Sequence, residues 1–257
     1  MRLSSLMGAL LVLWGCSKVN NSTTKIFGHA ATGLQNPNAI YHDNSLNAIR
    51  YASSLSGCSG VEVDVRMDAQ GKLWLFHNDL LDDETNLSGS VEEMTTDELT
   101  SGHYRTLKKE PLLKLDAATT AELSQGYTFL DLKITGISKA QELKSALLAL
   151  DIDTAKFALI VSSLSYVDLF KSDFQVFLSI NEVTELTSEL LANEPGLRGV
   201  CIRSANISRE EINFLKSIHK EVICYEVRSP KGIRAGLIKE PTYLLTDDLK
   251  LTLGLRN

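Results

Sequence analysis

Stretches with the composition of β-strands alternate with amphipathic helical stretches along most of this chain. The strand candidates are 25–30, 60–66, 73–76, 128–134, 157–161, 176–180, 199–202, 222–227 and 242–247. The helical patterns lie at 46–55, 95–99, 117–123, 138–150, 164–170, 183–191, 208–219 and 232–239. Regular alternation of this kind is typical of parallel βαβ units. It predicts a single-domain α/β fold, a TIM (β/α)8 barrel with an irregular early hairpin; a doubly wound open sheet is the alternative.

The stretch 60–77 predicts a β-hairpin that gathers ionisable side chains. Glu62 and Asp64 share one face of the first strand because side chains alternate with period two. The turn at 68–71 is too short for a parallel crossover, so the second strand returns antiparallel and brings His77 beside Glu62. Carboxylate oxygens suit hard cations, and histidine exchanges a proton near neutral pH. A surface hairpin whose polar residues face water would give the same pattern.

The barrel prediction also indicates where a functional site would lie. Active sites in this fold lie at the carboxyl ends of the strands. His29 ends the first strand candidate, and Asp131 and Lys133 share a face in the later half of strand 128–134. Polar residues inside apolar strands are unfavourable unless they are paired or bound to a ligand. A salt bridge would explain Asp131 and Lys133, but it would not explain the further carboxylates at corresponding strand ends.

The composition is that of a globular protein without a nucleic-acid partner. The 257 residues are 44% hydrophobic and 23% charged, and the formal net charge is -6. This negative balance argues against nucleic acid, although a small anionic substrate can still bind where the local charge is positive. Cys58, Cys201 and Cys224 are too few and too widely spaced for a disulfide framework or a zinc site. We expect Cys201 and Cys224 to be buried free thiols.

The N-terminus resembles that of a bacterial lipoprotein. Arg2 precedes an apolar run at 6–14 that is too short to span a bilayer, which needs ~20 residues. Leu13-Trp-Gly-Cys16 is similar to a lipobox, in which the cysteine is lipid-modified and the chain is cut just before it. This implies a signal peptide at 1–15, a lipidated Cys16 with its tether at 16–24, and a barrel domain at 25–257. The implied location is the bacterial cell envelope, lipid-anchored at the outer membrane or facing the periplasm; an ordinary secretory signal is the alternative.

Six short motifs occur in an order that resembles the glycerophosphodiester phosphodiesterase family. They are Gly28-His29, Asp43-Asn44-Ser45, Glu62-Val-Asp64, the run 77–89, Leu130-Asp-Leu-Lys133 and Thr246-Asp247. The family consists of phospholipase C-like TIM barrels that hydrolyse glycerophosphodiesters to an alcohol and glycerol 3-phosphate. The resemblance therefore implies a phosphoric diester hydrolase with a small phosphodiester substrate and a divalent cation, Ca2+ or Mg2+.

The same resemblance implies a role for individual residues. His29 and His77 are the implied acid and base, because cleavage needs one proton removed and one donated. The implied metal ligands are Glu62, Asp64 and Asp131. The implied phosphate contact is Lys133, and Asp43 is the implied support beside the metal ligands.

Three residues depart from the family pattern. Ala30 stands where the family usually has an arginine after the first histidine, and Asp43 and Asp131 each replace a glutamate with a side chain one methylene shorter. The cations that could replace the arginine are Arg66, Arg203 and Arg228. Two other functions fit the same barrel: a binding lipoprotein without turnover, suggested by Ala30, and a phospholipase D-like or cyclising phosphodiesterase.

Overall fold

The chain folds into a closed barrel of parallel strands. The structure is a computed structural model that describes residues 23–256, without the side chains of residues 185 and 186. Within these residues the strands are β1 (Lys25–Gly28), β2 (Cys58–Met67), β3 (Leu73–Leu75), β4 (Leu113–Lys114), β5 (Tyr127–Leu132), β6 (Phe157–Val161), β7 (Gln175–Ile180), β8 (Leu197–Arg203), β9 (Glu221–Val227) and β10 (Tyr243–Thr246). All except β3 and β4 belong to the barrel. Because β1 pairs with both β2 and β10, the sheet closes. The predicted (β/α)8 barrel is confirmed, and the open sheet is wrong.

The helices follow the strands as predicted, with one addition at the end. They are α1 (Leu46–Ser54), α2 (Thr96–Thr100), α3 (Ala117–Leu123), α4 (Ile137–Ala149), α5 (Leu164–Phe170), α6 (Glu185–Asn193), α7 (Arg209–Ser217), α8 (Pro230–Ile238) and α9 (Leu249–Arg256). Ser45, Ser163, Ser208 and Ser229 cap four of them by accepting a hydrogen bond from the N–H three residues on. The sequence analysis missed α9 and the two-residue β4. Within residues 23–256 no helix is long and apolar enough to cross a membrane.

The predicted hairpin is present and sets the register of the site. In the antiparallel ladder, Val65 lies opposite Leu75. On its other side β2 runs parallel to β5 and places Asp64 opposite Asp131. Beyond β3 the chain forms a lobe with a small core of its own, made of Trp74, Phe76, Leu81, Val91, Leu99, Tyr104 and Leu112. The first strand of the hairpin, β2, and its parallel neighbour β5 therefore hold their site residues next to each other.

Aromatic rings fill the lower part of the barrel. The ring of Phe129 lies 5.0 Å from that of Phe27, 5.4 Å from Phe177 and 5.1 Å from Tyr243, measured between centroids. Side chains two residues apart on a strand share a face. His29 and Asp131 therefore lie one step above Phe27 and Phe129, towards the carboxyl ends of the strands. The barrel interior is therefore filled by apolar side chains near the amino ends of the strands and lined by ionisable side chains at their carboxyl ends.

The residue directly before β1 is fixed to the barrel. Thr24, which the sequence analysis placed in the tether, is buried and donates a hydrogen bond to the carbonyl of Pro241 at 2.8 Å. Cys16 and the predicted signal peptide lie outside the described residues. Cys201 and Cys224 are buried and free, as predicted.

Asp68 fixes the turn of the hairpin, and its removal should destabilise the fold. Its carboxylate accepts hydrogen bonds from the backbone N–H of Gln70 and Lys72, the Trp74 indole and the Thr96 hydroxyl. Burial raises the pKa of Asp68, but these donors outweigh it and lower the pKa below its ordinary value. We expect Asp68→Asn to lower the free energy of unfolding by about 1–3 kcal/mol in urea titrations at neutral pH.

The pH dependence of this effect has a defined sign. A carboxylate whose pKa is depressed in the folded state stabilises the fold above its unfolded pKa, and this contribution is lost as the pH falls through the folded pKa. The difference between wild type and Asp68→Asn should therefore narrow below about pH 4. The exposed Asp83→Asn change is the control. A difference that stayed constant down to pH 2, well below about pH 4, would contradict the prediction.

Candidate active site

The carboxyl ends of the strands surround a cavity of about 330 Å³. Five residues predicted to form the site line it: His29, Glu62, His77, Asp131 and Lys133. Other lining residues were not assigned to the site beforehand, among them Gln35, Ser179, Tyr225 and Glu226. The cavity is therefore the place where the predicted residues meet.

Three carboxylates form a tight group beside the cavity. Glu62 and Asp64 come from β2 and Asp131 from β5, and one oxygen of each lies within 4.8 Å of the others. Burial and the negative charge of Asp64 raise the pKa of Glu62. Burial also raises the pKa of Asp64, but the charges of Lys133 and His77 and a hydrogen bond from Asn44 outweigh burial and lower this pKa below its ordinary value. The group concentrates negative charge where little water reaches.

The donor set of this group fits a divalent cation. Glu62 Oε2 accepts a hydrogen bond from the Ala30 N–H at 2.8 Å. Its other oxygen, Oε1, is buried and has no hydrogen-bond partner within residues 23–256. A buried polar atom without a partner is unfavourable, and oxygen ligands of this kind are those that Ca2+ and Mg2+ prefer.

Lys133 provides a positive charge between the carboxylates and the cavity. Its ammonium lies 3.0 Å from Asp64 Oδ1 and 2.6 Å from Asp131 Oδ2. Burial lowers the pKa of Lys133, but the charges of Asp64 and Asp131 outweigh it and raise the pKa above its ordinary value. The ammonium therefore stays charged at neutral pH and faces the cavity.

His29 is held by a residue from the far end of the chain. Its Nδ1 lies 2.7 Å from Asp247 Oδ1, and its Nε2 lies 3.8 Å from Glu62 Oε2. Burial lowers the pKa of His29, but the hydrogen bond to Asp247 and the charge of Glu62 outweigh it and raise the pKa to about 9. Because a carboxylate only accepts, Nδ1 carries a hydrogen and Nε2 is left for the cavity.

His77 approaches the same cavity from the hairpin. The Phe76 N–H donates to the Asp64 carbonyl at 3.1 Å, which places His77 at the mouth just beyond β3. Its Nδ1 lies 2.8 Å from Asn78 Oδ1, so that nitrogen donates and Nε2 is available for proton transfer. His29 and His77 thus reach one cavity from two different strand ends.

Two residues that support the site were missed by the sequence analysis. Asp247 was part of a motif without a role, yet it accepts hydrogen bonds from Arg228 Nε and the Leu34 N–H as well as His29. Asn44 was likewise part of a motif without a role, and the residue that caps α1 is its neighbour Ser45. Asn44 instead has a left-handed backbone, with φ +54°, and holds Asp64.

The support of Asp64 comes from Asn44 rather than from its neighbour Asp43. Asn44 Nδ2 donates to Asp64 Oδ2 at 2.8 Å, and Asn44 Oδ1 accepts from the Asp64 N–H at 3.0 Å. Asp43 accepts from the Gln35 N–H at 2.8 Å and pairs with His42. Asp43, predicted as a support of the metal ligands, contacts Gln35 and His42, and its neighbour Asn44 contacts Asp64.

The structure distinguishes among the arginines that could compensate for Ala30. Arg66 is buried and held by Asp79 and Glu92 outside the central cavity. Arg203 and Arg228 line the cavity, each with about half of its side chain exposed. Two guanidinium groups thus line the cavity.

Fold and site together are those of a TIM-barrel phosphodiesterase. The sequence profile of the glycerophosphoryl diester phosphodiesterase family matches residues 29–250. The chain belongs to this family, which confirms the family predicted from its motifs.

Relatives with solved or curated descriptions agree with this assignment. A glycerophosphodiester phosphodiesterase of Bacillus altitudinis is 35% identical over 79 residues, which span 31% of this chain and 30% of the relative. The crystal structure of a glycerophosphodiester phosphodiesterase from Thermotoga maritima has a TM-score of 0.72 and 20% identity, covering 91% of this chain and 98% of that one. A phosphodiesterase of Oleispira antarctica, in complex with the product sn-glycerol-3-phosphate, has a TM-score of 0.75 and 16% identity, covering 90% and 96%. The two structural likenesses show the fold.

Proposed function

We propose that the protein hydrolyses glycerophosphodiesters to an alcohol and glycerol 3-phosphate. The observation that carries this proposal is the pair His29 and His77, which reach one cavity beside the carboxylate group. The family and the product named for the Oleispira antarctica structure support the same substrate class.

His29 and His77 act as acid and base in two successive steps. His77 Nε2 takes the proton of the attacking glycerol hydroxyl as its oxygen bonds to phosphorus. His29, charged because Asp247 raises its pKa, donates a proton from Nε2 to the leaving alcohol oxygen. This first step releases the alcohol and leaves a cyclic phosphate. In the second step His29 takes a proton from the attacking water and His77 donates its proton to the glycerol oxygen that leaves phosphorus, so both histidines return to their initial protonation states. Each proton transfer is worth about 10²–10⁴-fold in rate.

The remaining charged residues stabilise the phosphoryl group. Glu62, Asp64 and Asp131 would hold a divalent cation, Ca2+ or Mg2+, which when bound supplies electrostatic stabilisation of phosphoryl oxygens. Lys133 adds a fixed positive charge from the same side. Arg203 and Arg228 face the cavity. They supply the guanidinium groups that the family takes from an arginine at the position of Ala30.

The proposal is tested by incubating the full chain with a panel of glycerophosphodiesters and Ca2+ or Mg2+. Chelator-sensitive release of glycerol 3-phosphate supports it. Tight binding of the diester without product would favour a binding lipoprotein instead. A cyclic phosphate that accumulates and never opens would favour a cyclising phosphodiesterase.

Arg203 offers a test of how the chain manages without the family arginine. A hydrogen bond to a charged group is worth about 1.5–3 kcal/mol, and exposure reduces that value, so we expect Arg203→Ala to lower kcat/KM about tenfold. The control is Arg209→Ala. Arg203 pairs with Glu226 and Arg209 with Glu240, and both arginines are about half exposed, but Arg209 lies on α7, away from the cavity. Equal kcat/KM values for both variants would remove Arg203 from the phosphate contact.

The proposed location is the bacterial cell envelope, with lipid on Cys16. The support is the motif Leu13-Trp-Gly-Cys16 behind an apolar run. In cells grown with radiolabelled palmitate, wild type and a Cys58→Ser control should carry label and Cys16→Ser should not. Label on Cys16→Ser would contradict lipidation at this position.

A further inference from the structure

A second group of potential metal ligands lies outside the site described above. It consists of His42 and Asp43, in the loop before α1, and Glu84, in the loop after β3. One ligand atom of each lies within 4.8 Å of the others. The group shares no residue with the carboxylates Glu62, Asp64 and Asp131. It is also chemically different, because it contains an imidazole.

The surrounding contacts hold this group in place. His42 Nδ1 lies 2.9 Å from Asp43 Oδ1 and 3.0 Å from the Asp43 carbonyl oxygen. The His42 N–H donates to Glu110 Oε2 at 2.9 Å, and Asp43 Oδ2 accepts from the Gln35 N–H at 2.8 Å. Burial and the nearby charge of Asp43 raise the pKa of Glu84. The carboxylates of Asp43 and Glu84 are thus held close together.

A buried hydroxyl beside the group has no partner. The ring of Tyr104 stacks on the His42 imidazole, with 3.6 Å between centroids and 14° between planes. Tyr104 is 0% exposed, and its hydroxyl makes no hydrogen bond within residues 23–256. Burial raises the pKa of this hydroxyl, and the charges that raise it most are those of Asp43 and Glu84. The unpaired hydroxyl therefore belongs to a ring that stacks on His42, and it lies within range of the charges of Asp43 and Glu84.

We propose that His42, Asp43 and Glu84 bind a second divalent cation of the transition-metal type, such as Zn2+. An imidazole with carboxylates is a donor set that suits such ions, whereas the all-oxygen group suits Ca2+ and Mg2+. Three protein ligands leave a zinc coordination position for water, and such a water would give the Tyr104 hydroxyl the partner it lacks.

The position of this site connects it to the loop that carries His77. Glu84 is hydrogen-bonded to Asn78, and Asn78 Oδ1 accepts from His77 Nδ1. A cation bound by Glu84 would tie that loop to the loop before α1. The inference rests on the second group alone and does not depend on the proposed hydrolysis.

The experiment measures zinc binding in the presence of excess calcium, which fills the all-oxygen group. The full chain is dialysed against low zinc with calcium, and the retained metal is counted by mass spectrometry. We expect wild type to retain one zinc per chain. Glu84→Gln and His42→Gln should bind zinc at least tenfold more weakly. The matched control is Asp83→Asn, which removes the same charge from the adjacent exposed position and should retain zinc.

Several outcomes would overturn the inference. One is wild type that retains no zinc, and another is a Glu84→Gln or His42→Gln variant that retains zinc like wild type. Calcium binding shows whether each variant is folded. If a variant loses both metals, X-ray absorption of zinc-loaded wild type decides: an imidazole nitrogen among oxygen ligands supports the site, and a ligand set without nitrogen overturns it.

Discussion

The His77→Asn variant is expected to hydrolyse glycerophosphodiesters about 10²–10⁴-fold more slowly than wild type at saturating substrate. Asparagine keeps a polar group of similar length at the cavity but cannot exchange a proton near neutral pH. The substrate contacts proposed for Lys133, Arg203 and Arg228 are not altered by this substitution, so KM should change little. The loss should therefore appear in kcat, measured by release of glycerol 3-phosphate.

The control for this prediction is the same substitution at the other end of the barrel. His219 is exposed, follows α7 and has a left-handed φ of +61°, a conformation that asparagine tolerates. His219→Asn should leave kcat unchanged. A His77→Asn enzyme within a few-fold of wild type would show that His77 transfers no proton in the limiting step.

The Asp131→Asn variant is expected to bind Ca2+ or Mg2+ at least about 10–100-fold more weakly than wild type. Mutation of residues that only support the ligands of a metal already lowers metal affinity by that factor, and loss of a ligand itself should lower it at least as much. Asp131 is the best member of its group to replace. Its side chain is 28% exposed, whereas Glu62 and Asp64 are almost fully buried, so a change there would also disturb folding. The measurement is calorimetric titration of the metal, with the metal concentration for half-maximal activity as a second reading.

The control for Asp131→Asn must lose the same charge elsewhere. Asp97 is exposed on α2, so Asp97→Asn should bind the metal like wild type. Unchanged affinity in Asp131→Asn would mean that Asp131 is not a ligand. The role of Asp131 would then be the ion pair with Lys133.

Local patterns in the sequence were sufficient to predict the barrel and five of the residues that line its mouth. Period-two alternation placed Glu62 and Asp64 on one face, and the short turn forced His77 back towards them. These inferences succeed because they depend on residues close together in the chain. Helix α9 was not predicted, although it follows the last strand closely and buries Leu249, Leu253 and Leu255.

The partners of the site residues could not be predicted, because they arise from the closure of the barrel. His29 and Asp247 are 218 positions apart and meet only when β1 pairs with β10. The arginines illustrate the same limit. The sequence offered Arg66, Arg203 and Arg228 as equal candidates, and only the folded structure shows that Arg66 is buried outside the cavity that Arg203 and Arg228 line.

The pairing of the first strand with the last one has a consequence for how the protein comes into being. A ribosome makes β1 first and β10 last. Until β10 is complete, β1 lacks a neighbour on one side and His29 lacks Asp247. A growing chain therefore carries His29 without its aspartate throughout its synthesis, and the pair forms only after the final strand has joined the first.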